Sequence, residues 1–161
     1  MLNIMDSVSV NIQGLDELIE KLNSVSYDMK RKGGRAALRK AAKVISDAAK
    51  RGAEAINRSE TSNSIPANIR IQWGNRTFNR TGDLLFRVGV DGGAAYKAGN
   101  KNASRPGGDT FYWRFLEFGT QKIAARPFMR PALEENTAKA LDTFVVEYKK
   151  YIDRAIKRGK S

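Results

Sequence analysis

Histidine and cysteine are both absent from this 161-residue chain, and that removes most ready-made chemistry. Without them there is no disulfide, no zinc thiolate site, no cysteine nucleophile and no Ser-His-Asp triad. Carboxylates, Lys, Tyr, Ser and Thr are the only groups left for catalysis, so the chain reads as a non-enzyme with no cofactor and no metal. Long apolar runs are missing too: nothing approaches the ~20 apolar residues of a membrane-spanning helix. The start, "MLNIMDSVSV", lacks the basic-then-apolar layout of a secretion signal. A soluble protein made in the cytoplasm, with no membrane contact, is expected. Acidic residues are scarce, 17 against 29 basic, which leaves a formal charge of +12 and a pI near 10.1. Such a balance suits contact with nucleic acid, with an acidic protein or with an anionic membrane, or else a solvated surface that only keeps the chain soluble. Proline is scarce as well, four in all, and two of them, Pro127 and Pro131, fall in one short segment.

What is present suits a single domain over residues 1–161, with hydrophobic residues at 41% to fill one core. "VSVNI" (8–12) alternates Val8, Val10 and Ile12 on one face and reads as a strand. "GLDELIEKLNSVSYDMKRK" follows as a helix with Leu15, Leu18, Ile19 and Leu22 at helical spacing, broken or kinked at Gly33 and Gly34. A second helix spans 35–57, with an alanine-rich stripe and Arg35, Arg39, Lys40, Lys43, Lys50 and Arg51 on its other positions. That basic face reads either as solvated surface or as a nucleic-acid site. "IRIQW" (69–73) and "LLFRVGV" (84–90) alternate as strands, and the turn-rich "GNRTFNRTGD" (74–83) closes them into a hairpin. Residues 91–109, with five Gly and one Pro, read as a long flexible loop of the sort that is functional or orders on assembly. "NRS" at 57–59 and "NAS" at 102–104 match the glycosylation triplet by chance, since no secretion signal accompanies them.

The unusual segment is "YWRFLEFGTQKIAARPFMRPALEEN" (112–136). "DTFYWRFLEFG" fits one or two helical turns, capped by Asp109, with Tyr112, Phe115 and Leu116 on one face and a left-handed stop at Gly119; strand is the competing reading. Glu117, if buried, requires a partner. Pro127 and Pro131 stiffen "RPFMRP" into an extended strip that holds Phe128 and Met129 between Arg126 and Arg130. Such a strip is a good protein-docking surface, and equally a lid on the core beneath the last helix. That helix, the longest, starts at Pro131 and runs to Lys160, with Leu133, Leu141, Phe144, Val145, Tyr148, Ile152 and Ile156 as its buried stripe. The whole reads as α+β: a small antiparallel sheet packed against N-terminal helices and one long C-terminal helix.

"FLEFGTQKIAARPFMRPALEEN" resembles the signature of the lambdoid phage tail-component family, typified by the gene-ten product of phage HK-97; the lambda tail-completion protein Z is similar. Glu117, Phe118, Gly119, Thr120, Arg126, Pro127, Phe128, Arg130, Pro131 and Ala132 stand in the places of that motif. "GLDELIEKLNSV" and the basic, alanine-rich helix resemble the family's opening, and the likeness loosely covers 12–147. "RTGDLLFRVGV" comes later than in many members, after the inserted "IRIQW". The resemblance implies a non-enzymatic virion protein of a long-tailed phage, made in the host cytoplasm and placed at the neck, where it completes the tail or joins it to the head. It implies a homo-oligomeric ring, hexameric, beside head-closure, tail-terminator or tail-tube proteins, with non-specific contact with phage DNA. The interface residues it implies are Glu117, Phe118, Gly119, Arg126, Pro127, Phe128, Arg130 and Pro131.

Two other readings compete. A basic, sequence-independent nucleic-acid-binding protein would use exposed aromatics between Arg and Lys, but those of "IRIQW" and "FRVGV" fall in phase with the aliphatic core positions. A hydrolase with paired carboxylates would draw on Glu117, Glu134 and Glu135, which nothing in the sequence pairs across a cleft.

Overall fold

The computed structural model describes residues 14–23, 25–56, 64–91 and 108–159. Eight elements follow in chain order among them: α1 (Leu15–Asn23), α2 (Tyr27–Ile56), α3 (Ile65–Asn68), β1 (Ile69–Trp73), α4 (Asn75–Thr81), β2 (Phe86–Val90), α5 (Trp113–Phe118) and α6 (Met129–Lys157). The fold is α+β, with a small antiparallel sheet, N-terminal helices and a long C-terminal helix. The strand expected at 8–12 and nearly all of the 91–109 loop lie outside the described residues.

Two long helices carry the molecule. α2 has 30 residues and α6 has 29, each about 45 Å long at 1.5 Å per residue, and they pack along much of their length. Alanines at 37, 41, 49 and 53 are buried on α2, so the two backbones approach closely. The expected break at Gly33 and Gly34 does not occur. The chain instead breaks after Asn23, and α2 runs unbroken through both glycines. Their role is clearance: a Cβ on Gly33 would sit 2.5 Å from the Tyr151 ring and 2.9 Å from the Tyr148 ring. Tyr148 then reaches across α2 and its hydroxyl donates to the Lys30 carbonyl at 2.7 Å.

The core has two parts. One joins Leu18, Val25 and Ala37 to Val145, Tyr148 and Ile152, and ties α1 to the C-terminal half of α6. At its edge Lys21 bonds Asp153 at 2.7 Å and Lys149 pairs with Glu17. The other gathers Ala49, Ala53, Ile65, Ile69, Phe128 and Ala132, and sits under the first turn of α6.

β1 and β2 pair antiparallel, with Ile69 opposite Val90 and Trp73 opposite Phe86. Arg70 and Gln72 face outward, as the alternation predicts. The connection is more than a turn, because it contains α4, closed by Gly82 in the left-handed region (φ 77°). Trp73 packs against Phe78 of α4 and Phe86 of β2, with ring centroids 5.3 and 5.1 Å away. Arg35 lies 4.2 Å over Trp73 and Arg31 lies 4.7 Å over Phe78. Between α2, β2 and the first half of α6 an apolar groove of about 670 Å³ stays open, lined among others by Leu38, Ala42, Phe86, Leu133 and Phe144.

Candidate functional site

The segment richest in special residues forms a corner where α5 meets the start of α6. Helix α5 begins after a turn in which Asp109 accepts the Phe111 N–H at 3.2 Å and Thr110 accepts the Trp113 N–H at 3.0 Å. Tyr112, Trp113 and Leu116 pack on the core, and Trp113 meets Phe128 edge-on at 6.5 Å. Phe115 departs from the face expected for it. It points outward in line with Phe111 and Phe118, and all three are exposed, Phe118 by 64%. Phe115 and Phe118, three apart, share one side of α5, and Phe111, in the turn before it, meets the Phe115 ring edge-on at 6.4 Å.

Glu117 is the pivot. Its side chain is only 1% exposed, and it reaches the first turn of α6. Oε2 accepts the N–H of Phe128 at 2.7 Å and of Met129 at 3.0 Å, while Oε1 accepts the N–H of Arg130 at 3.0 Å. Those donors have no partner within the helix, and they carry the positive end of its dipole. Phe128, at the N-cap position, offers no side-chain cap, so a residue eleven positions upstream supplies it. Burial pushes the Glu117 carboxyl up, but the N–H groups of Met129, Phe128 and Arg130, with the Arg130 guanidinium, outweigh it and hold the group below its ordinary value. Arg130 closes the clamp: Nε donates to Oε1 at 3.3 Å and Nη2 to the Glu117 carbonyl at 2.8 Å.

The loop between the helices folds back on itself. Arg126 N–H donates to the Leu116 carbonyl at 2.7 Å, and Thr120 N–H to that of Ile123 at 2.8 Å. The Thr120 hydroxyl accepts the N–H groups of Lys122 and Ile123. Gly119 starts this return with φ 75°, and a Cβ there would lie 3.0 Å from the Ala125 nitrogen, so both backbone angle and space favour glycine.

The residues expected at an interface therefore divide. Glu117, Gly119 and Phe128, with the Arg130 clamp, hold the corner together; Phe128 is 2% exposed and fills the core. Pro131 stands inside the first turn of α6, so the stiff extended strip ends at Pro127 and Met129 is already helical. Phe118, Arg126 and Pro127 remain exposed, and the Arg130 guanidinium lies 5.3 Å over the Phe118 ring. Sequence reasoning overlooked Asn68, which is fully buried. Its side-chain amide donates to the Gly108 carbonyl at 2.9 Å and to the Thr110 hydroxyl at 2.8 Å, and its backbone carbonyl accepts the Asp91 N–H at 2.8 Å. One residue thus holds the chain on both sides of 92–107; its place just before an alternating strand was the only available signal.

Chemically the corner offers contact surface. Its single buried carboxylate is committed to a helix end, and no group of His, Cys, Asp or Glu among the described residues is placed to hold a metal. No described helix is long and apolar enough to cross a membrane. The cations expected along α2 are partly committed: Arg35 to Trp73, Lys40 to Glu147 and Lys43 to Asp47, while Arg39 and Arg51 are exposed.

One family model matches, described as "Bacteriophage HK97-gp10, putative tail-component", over residues 16–119. No curated protein and no solved structure gives a significant match. The matched region takes in Glu117, Phe118 and Gly119 and stops before the Arg-Pro-Phe-Met-Arg-Pro half of the corner. Since it spans more than half of the chain, the protein belongs to the HK97-gp10-like family of phage tail components.

Proposed function

From that membership, we propose that the chain is a structural, non-catalytic protein of the head–tail junction of a long-tailed phage, acting in an oligomeric ring. The observation that carries this reading is the corner itself. Three aromatic rings stand exposed on α5 and the turn before it, with the other side of the helix pinned to the core, beside a loop clamped by Glu117 and Arg130. Aromatic and Arg side chains on a rigid support supply much of the energy of protein interfaces, because little entropy is lost when they dock. Phe118 and Arg126 are the contact residues; Phe128 acts beneath them as the support. Neighbours in that assembly, further copies of the chain or head-closure, tail-terminator or tail-tube proteins, supply the acidic and apolar counterpart.

Phage carrying Phe118→Ala with Arg126→Ala test this. Both side chains are exposed, so the variant protein should melt near the wild-type temperature while particles show defective tails or unjoined heads. Infectious particles at normal yield would show that the corner is only a structural lid. Arg130 is a poorer target, since its removal also opens the Glu117 clamp.

A further inference from the structure

We propose that the aromatic stripe of α5 docks on the outer face of α1 in a second copy of this chain, a head-to-tail contact. This rests on the ring reading above and names the two surfaces that would build it.

The two surfaces are complementary in shape class and charge. On the α5 side, Phe111, Phe115 and Phe118 are exposed, with Ile123 beside them. Arg114, Lys122 and Arg126 fringe the stripe and are exposed, while Glu117 inside it is buried. Asp109, at the border, is the one exposed carboxylate there. On the α1 side, Leu15 and Ile19 stand exposed one turn apart, and Asp16 and Glu20 form the adjoining stripe. Neither Asp16 nor Glu20 has an ion-pair partner among the described residues, whereas Glu17 is already paired with Lys21 and Lys149. An apolar ridge with an acidic flank therefore matches an aromatic stripe with a cationic fringe. Opposite potentials of this kind orient encounter and set register.

Their positions give the contact its direction. α5 is fastened to α6 at Phe128–Arg130, and α1 is fastened at Lys149 and Asp153. Nineteen residues separate Arg130 from Lys149, about 28 Å along the helix at 1.5 Å per residue. The surfaces sit toward opposite ends of one rigid rod, too far apart to meet within a single chain. A contact between two different faces is heterologous. It repeats from copy to copy and closes into a ring when the rotation permits.

The absence of cysteine makes the test clean. In Ile19→Cys/Phe115→Cys, concentrated full-length protein treated with a short thiol-to-thiol cross-linker should give a ladder of multimers joined 19 to 115. Neither single variant alone should give a ladder. Arg114→Glu/Arg126→Glu and Asp16→Lys/Glu20→Lys should each weaken association about tenfold or more in sedimentation experiments, and mixing the two should restore it. Association that persists without 19–115 linkage, or through 115–115 dimers, overturns this pairing and leaves the ring reading standing. Folded wild-type chain that does not associate at any concentration overturns both.

Discussion

At the scale of single residues, Glu117 explains why so many unusual residues crowd into one corner. A helix N-terminus needs acceptors for its first N–H groups, and here they come from the end of the preceding helix. Gly119 lets the chain turn back, Pro127 directs it into the new helix, and Arg130 secures the carboxylate from the far side. The sequence showed that Glu117 needed a partner if buried, but not which one, because the partner is backbone and backbone leaves no trace in residue identity. Glu117→Gln keeps the shape while removing the charge, so it should lower unfolding stability by about 1–3 kcal/mol, measured by urea denaturation. The pH dependence has a definite sign. A carboxyl held below its ordinary 4.5 in the folded state stabilises the fold above that value, and this contribution is lost as pH falls through the lower folded value. Wild-type protein should therefore lose stability on acidification below about pH 4.5 more steeply than Glu117→Gln. Parallel curves for the two proteins would remove Glu117 from this role.

At the scale of elements, apolar periodicity located helices and strands, but not every residue it marked is buried: Leu133 and Ile156 of the expected α6 stripe stand exposed, as do Leu15 and Ile19 of α1. β1 occupies the five residues that alternation marked, and α6 begins two residues before Pro131. What could not be read depended on contacts between elements. Gly33 and Gly34 look like helix breakers locally, yet two tyrosines on α6 require just that missing side chain, and the surrounding helix tolerates the glycines. Helix α4 escaped because "NRTFNRT" has no apolar stripe; a left-handed Gly82 and the stacking of Phe78 on Trp73 and Arg31 hold it instead. Helical spacing groups Phe115 with Tyr112 and Leu116 on one face, yet those two pack on the core while Phe115 stands exposed. Its exposure is what makes α5 a candidate contact surface. Gly33→Ala separates the two accounts of the glycines. If they only weakened the helix, alanine would stabilise it by about 0.5–1 kcal/mol. Because the added methyl meets the Tyr151 and Tyr148 rings, the change should instead destabilise by about 1–3 kcal/mol, seen as a lower melting temperature.

At the scale of the whole molecule, the question is what a net charge of +12 does. Several cations that looked available are engaged inside the fold: Arg31 and Arg35 stack on aromatics, Arg130 clamps Glu117, and Lys21, Lys40 and Lys149 meet carboxylates across helices. The other described cations lie along α2, on the sheet and α4, around the corner and on the last turns of α6; at the corner exposed Phe111, Phe115 and Phe118 stand among them, the rings that the reading above gives to protein contact. Trp73 and Phe86, the aromatics of the sheet, stack on each other and on Phe78. A diffuse cationic surface attracts phosphate by counterion release, which carries no sequence information and falls steeply with salt. DNA binding should therefore be weak at physiological salt, indifferent to sequence, and lost as salt is raised. A filter-binding titration across salt concentrations measures it. Tight binding that discriminates between sequences would make nucleic acid the primary partner in place of neighbouring virion proteins.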